Sequence, residues 1–236
     1  MYVLGIESAT PVASVAVAGD EGILAERMVL NKRTHSVNLL PMIKAVLEDS
    51  EIDRHSLAGI AVSGGPGSFT GLRIGMSTAK ALAQVWDLPV AGISTLETLA
   101  YPLAGHGSLV CPVLNARKNE VYTAVYNSAG PVPARLASPR AARVEELIKC
   151  LLSYEMPVTF LGDGVPVYAT LIKSGLGQLA LFAPQAASFP RGAAVAELGL
   201  KVFREGRGIS PLRLQPEYIR PSEAEVVWLK KHCTGG

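Results

Sequence analysis

The chain opens with short apolar runs separated by turn formers. Residues 2–6 are apolar and extended in character, residues 13–18 alternate small and β-branched side chains, and residues 23–30 complete a third run, with Pro11 and Gly19-Asp20-Glu21-Gly22 between them. This pattern predicts three hairpin-linked strands. Helical periodicity follows from residue 34 or 36 to residue 49, then a strand over 57–62, a glycine-rich turn, a helix over 70–85 and a strand over 89–93. Ser94 and Glu97 have capping-box spacing, so a third helix is expected to start there. The second half restarts the programme: strands at 110–114, 120–126 and 132–137, a helix at 144–152, and a strand at 158–161 running into Gly162-Asp163-Gly164. A repeated β-β-β-α-β-α order predicts an α/β protein of two duplicated halves. The halves are placed at 1–108 and 109–236, and the amphipathic stretch 191–204 is a candidate helix returning to the first.

Two helices carry unusual faces. Gly71, Gly75, Ala79 and Ala83 recur every fourth residue and form one stripe with almost no side-chain bulk. Glycine inside a helix costs up to about 1 kcal/mol relative to alanine, so a packing need must offset it. That need is met either by the chain's own sheet or by a partner helix. In the preceding helix, Leu39, Met42, Ile43 and Val46 make one apolar stripe, and Val37, Leu40 and Leu47 make a second beside it. An arc this wide needs something further to pack against. The two helices are therefore expected to share an interface with another protein.

The turn between strand and helix, Gly64-Gly65-Pro66-Gly67, is either an anion site at a helix N-terminus or a tight corner without a ligand. It matches neither the dinucleotide fingerprint nor the P-loop, and Ser68 lacks the flanking glycines of a nucleophile elbow. Composition narrows the field. With 236 residues, 49% hydrophobic and 18% charged, the chain can bury a sizeable core. No basic leader or long apolar run is visible, so a cytoplasmic location and no membrane association are expected. Cys111, Cys150 and Cys233 are odd in number and far apart, which suits a reducing compartment. A net charge of +2 with scattered Lys and Arg does not make a nucleic-acid binder by itself. His35, His55, His106 and His232 are too dispersed to form a metal site and read as surface or capping residues.

Several segments match one family in order along the chain: GIESAT at 5–10, THSVNLLPMI at 34–43, GGPGSFTGLRIG at 64–75, NARKNEVY at 115–122 and the tail PEYIRP at 216–221. They resemble the TsaB (YeaZ) family, and the glycine-rich segment is the most specific. The resemblance implies an actin-like ATPase fold (ASKHA, ribonuclease H-like) of two subdomains. It implies a place beside TsaD, TsaE and TsaC-type proteins, where TsaC-type enzymes make threonylcarbamoyl-adenylate and TsaD transfers the threonylcarbamoyl group to N6 of adenosine 37 in tRNAs reading codons that begin with A. TsaB is TsaD's paralogue and dimerisation partner, and the family's first two helices form the contact. Carried onto this chain, the interface is Val37, Leu40, Leu47, Gly71, Gly75, Ala79 and Ala83, with a homodimer expected in isolation and tRNA met through the complex.

Catalysis is not expected here. TsaD-like subunits carry a His-x-x-x-His metal pair after the strand equivalent to 89–93, where this chain has Ser94-Thr95-Leu96-Glu97-Thr98-Leu99. Nucleotide use by the superfamily needs a carboxylate and hydroxyl-rich turn in each half. Glu7, Ser8, Thr10 and Gly67 in the first half, and Asn115, Gly162, Asp163 and Gly164 in the second, are the vestigial phosphate-facing candidates. Pro11 and the Asn115-Ala116-Arg117 that replaces the family's Asp-Ala-Arg argue for weak or absent ATP binding by the isolated chain, leaving ATP or ADP to the complex. The alternatives are an ATP-dependent small-molecule kinase or carbamoyltransferase of the same fold, a peptidase, and a self-sufficient RNA-binding module.

Overall fold

A computed structural model describes residues 1–220 apart from 32–33 and 117–118. Its first half runs β1 (Tyr2–Glu7), β2 (Ala13–Gly19), β3 (Gly22–Val29), α1 (His35–Asp49), β4 (Leu57–Gly65), α2 (Phe69–Trp86), β5 (Val90–Ser94) and α3 (Thr95–Ala100). The second half repeats this order as β6 (Leu109–Asn115), β7 (Glu120–Asn127), β8 (Ala134–Arg143), α4 (Val144–Leu152), β9 (Val158–Leu161), α5 (Val165–Leu176), β10 (Ala180–Phe182) and α6 (Gly192–Arg204).

The duplication extends to the topology. The two five-stranded sheets are ordered β3-β2-β1-β4-β5 and β8-β7-β6-β9-β10, so each strand has its counterpart in the same place. In both, the hairpin strands pair antiparallel and the last two strands join parallel. Strand β2 is buried at all seven residues because helices cover both faces of the sheet, the usual condition for continuous apolar strands in α/β layers. Leu39, Met42, Ile43 and Val46 of α1 and Met76, Ala79 and Ala83 of α2 seal one face against Leu4, Ile6, Val15 and Val62.

The other face is covered from a distance in sequence. Val195, Ala196, Leu198 and Leu200 of α6 pack on Val3, Ala18, Ala61 and Ile93. This contact is close because both sides are small. A Cβ on Gly5 would lie 2.8 Å from the Ala196 Cβ, and one on Gly192 2.9 Å from the Ala16 nitrogen. The reciprocal helix α3 does the same for the second sheet, with Leu96, Leu99 and Ala100 against Val110, Leu114, Tyr126 and Leu161. The last helix of each half therefore packs on the sheet of the other. Helix α3 starts after Ser94, where the spacing predicts, but that side chain makes no capping hydrogen bond.

A carboxylate fixes the entry of α6. Glu26 on β3 accepts hydrogen bonds from the Ala193 backbone N–H (3.1 Å) and Ser14 Oγ (3.1 Å) and pairs with Arg191, while the Gly192 N–H donates to Ser14 Oγ (2.8 Å). An acidic group at a helix start satisfies donors that the helix leaves open and meets its positive end.

Candidate functional site

Strand β1 ends at Glu7, and Glu7 with the following Ser8 and Ala9 meets the turn that leaves β4 for α2. The Ser68 N–H donates to the Ala9 carbonyl (2.7 Å), Ser8 Oγ donates to the Gly71 carbonyl (2.9 Å), and Ser68 Oγ accepts from the Gly71 N–H (3.2 Å) as the α2 cap. Gly67 has to be glycine because a Cβ would sit 2.8 Å from that of Ala9. Thr10 Oγ1 accepts from the Val12 N–H (3.3 Å), and its carbonyl accepts from His35 Nε2 (2.8 Å), which ties the first residue of α1 to the same corner. His35, read from sequence as a surface or capping residue, is thus a structural tether at the start of α1.

Glu7 is 0% exposed. Its carboxylate accepts from the Ala9 N–H (2.6 Å) and from Ser63 Oγ. Burial pushes its pKa up to about 7, and those hydrogen bonds pull against the rise. Ser8 and Thr10 are buried as well. The polar groups of this turn point into the fold, and the first-half candidates Glu7, Ser8, Thr10 and Gly67 come together as a packed corner.

The second half builds the matching corner from its own sequence. The Asn115 N–H donates to Asp163 Oδ1 (2.9 Å), and the Gly164 N–H donates to the Val113 carbonyl (3.0 Å). Gly162 adopts a φ of 115°, which a side chain would strain. Burial raises the pKa of Asp163, opposed by the Asn115 N–H. Asn115, Gly162, Asp163 and Gly164 therefore lie together, while Arg117 of the same motif lies outside the described residues. Among the described residues no group of three or more His, Cys, Asp or Glu could hold a metal ion. No helix among them is long and apolar enough to cross a membrane.

The expected interface divides in two. Val37 and Leu40 on α1 are 53% and 55% exposed, and Leu47 is partly buried against the chain's own core. The small-residue stripe of α2 does not face outward. Gly71, Gly75, Ala79 and Ala83 are all buried, and the reading of them as a docking surface is corrected: the helix needs glycines because it lies against β4 and against Ser8, just past β1. A Cβ on Gly75 would be 3.3 Å from that of Ser8 and 3.5 Å from Val62 Cγ2, and would overlap Ser8 Oγ. The outward side of α2 carries instead Arg73, Ser77 and Ala81, and Val85, which is 79% exposed.

Comparison with known proteins places these features. A family model for TsaD, described as tRNA N6-adenosine threonylcarbamoyltransferase, matches residues 22–228. A Bacillus subtilis (strain 168) protein named tRNA threonylcarbamoyladenosine biosynthesis protein TsaB is 30% identical over 98% of this chain and 99% of its own. The chain belongs to the TsaB family. The TsaB protein of Escherichia coli (strain K12) is likewise 30% identical, over 98% of both chains. The fold of this TsaB family member matches YeaZ from Pseudomonas aeruginosa at a TM-score of 0.76, with 22% identity over 92% of this chain and 99% of the other. The ROK hexokinase from Thermus thermophilus, at a TM-score of 0.51, 12% identity and 85% and 100% coverage, shares the actin-like layout alone.

The tail holds residues whose roles sequence reasoning did not assign. The Tyr218 ring stacks on Phe69 at the start of α2 (centroids 5.1 Å apart), Arg73 lies 3.8 Å over the Phe69 ring, and Arg73 Nε donates to Tyr218 Oη (3.1 Å). Arg220 pairs with Glu120 at the start of β7. The PEYIRP resemblance marked the segment, but nothing local in it specifies these contacts.

Proposed function

We propose that this chain is a non-catalytic subunit of the machinery that makes threonylcarbamoyladenosine in tRNA, where it docks a TsaD-type catalytic paralogue. The observation that carries the reading is the exposed apolar pair Val37 and Leu40 on a helix whose opposite face is sealed in the core. Large apolar side chains left in water on a family member related over its whole length are what a protein partner would cover. The match to a TsaD family model supports a paralogous pairing of like with like. The inward-turned groups of Glu7 and Ser8 support leaving the chemistry to the partner. In this reading a TsaE-type ATPase is a further partner, a second copy of the chain occupies the α1 face when TsaD is absent, and tRNA and ATP or ADP are engaged only in the complex. The working compartment is the cytoplasm.

Reconstitution tests the function. The modification assay is run with TsaC, TsaD and TsaE proteins, with and without this chain, and modification is expected only with it. Full activity in its absence refutes the proposal. Leu40→Glu is expected to leave the melting temperature of the isolated chain nearly unchanged and to weaken TsaD binding at least about tenfold, ~1.4 kcal/mol, measured by sizing and calorimetry. Unchanged binding would move the interface elsewhere. Micromolar Mg-ATP affinity of the chain alone would reopen the enzyme reading.

A further inference from the structure

After α6 the chain returns along the first half toward the glycine-rich corner. Ile209 pairs with Val90 beside β5, Leu214 is buried in the first core, and the Glu217 N–H donates to the Gly64 carbonyl (2.8 Å). Gly65, with a φ of 114°, makes room for this passage: a Cβ there would lie 2.6 Å from the Glu217 carbonyl oxygen. Tyr218 then covers the first turn of α2 through Phe69 and Arg73. Two residues later Arg220 reaches Glu120 on the second sheet, with side chains 31% and 25% exposed. Five residues, 216–220, thus hold the glycine-rich corner of one half and the hairpin of the other.

The two halves are also joined by α3 and α6, and apart from the Glu26 network at the entry of α6 those contacts are apolar and buried. They cannot part without exposing core. The tail contact is different in kind, since residues 216–220 hold on through one backbone hydrogen bond, a stacked ring with its Arg73–Tyr218 hydrogen bond, and a partly exposed ion pair. Partly exposed ion pairs are weak and salt-sensitive. From this contrast we infer that residues 216–220 form a releasable strap: breaking the Arg220–Glu120 pair frees the strap from the corner at α2 and lets the two halves part at that end while both sheets stay folded.

Hydrogen exchange of the full chain, resolved by amide, tests the strap. Arg220→Gln and Glu120→Gln are each expected to raise exchange at Glu217 and across residues 64–72 by about two- to fivefold, with β1 and β2 unchanged. Because both remove the same pair, the double variant should rise no further than either single one. In the wild-type chain, raising ionic strength from about 20 mM to about 500 mM should lift the same amides selectively. Unchanged exchange in either variant, a rise spread evenly over both sheets, or additive effects in the double variant would overturn the inference. If a variant fails to fold, the wild-type salt series decides alone, and a flat response at residues 64–72 counts against the strap.

Discussion

Replacing Glu7 by Gln isolates a single buried proton. The side chain keeps its size and its acceptor for the Ala9 N–H, but it no longer titrates. In the folded chain Glu7 holds its proton up to about pH 7, against an ordinary value of 4.5. Between those values the folded state binds a proton that the unfolded state has released. Stability from this group is therefore complete below about pH 4.5 and is lost as pH rises toward 7, levelling off above. At 1.36 kcal/mol per pH unit, the gap from 4.5 to about 7 amounts to about 3 kcal/mol. Urea unfolding followed by circular dichroism at a series of pH values, for wild type and Glu7→Gln side by side, reads it directly. The difference in unfolding free energy should swing by about 3 kcal/mol in favour of Gln from pH 4.5 to 8, with the denaturant slope unchanged. Other raised groups, such as Asp163 and Glu97, are present in both proteins and cancel. Parallel pH curves for the two proteins would refute the reasoning, because they would mean that Glu7 is solvated or paired in the folded state.

The remaining expectations concern packing. Gly71→Ala places a Cβ against the Ser8 carbonyl and 3.4 Å from the His35 ring, and should lower unfolding free energy by about 1–3 kcal/mol, the range for overpacking; a melting temperature within a degree of wild type would show that α2 can lift from β1 at little cost. Glu26→Ala strands Arg191, the Ser14 hydroxyl and the Ala193 N–H together, and should cost about 2–3 kcal/mol. Its denaturation midpoint checks this, and amide exchange in the first turn of α6 should rise with it.

Much of the layout was legible because period and punctuation agree. Helix α4 and strand β9 have the bounds that alternation and turn residues predict, and the repeat of the first half in the second follows from the same signals. What periodicity cannot say is what covers a face. Gly71, Gly75, Ala79 and Ala83 are spaced alike whether they meet the chain's own sheet or a foreign helix, and the positions of Ser8 and Val62 decide. The apolar arc of α1 raised the same ambiguity, and it resolves residue by residue: Leu47 turns toward the core while Val37 and Leu40 do not. His35, Ser63 and the tail residues Glu217, Tyr218 and Arg220 left no signal of their roles, since each acts through one contact with a residue distant in sequence, and irregular chain has no period to read. Amphipathicity marks 191–204 as a candidate helix returning to the first half, but its closeness to Gly5 and Ala61 is a property of the folded surface.

The exchange of final helices between the halves has a practical corollary for anyone cutting the gene in two. A fragment ending near residue 108 would retain α3 without the sheet that buries Leu96 and Leu99, and would lack the α6 that shields Val3, Ala61 and Ile93. Each piece would carry the other's missing lid. Expressed apart, both would present sticky apolar sheets; expressed together, they have every reason to find each other and rebuild one molecule from two chains.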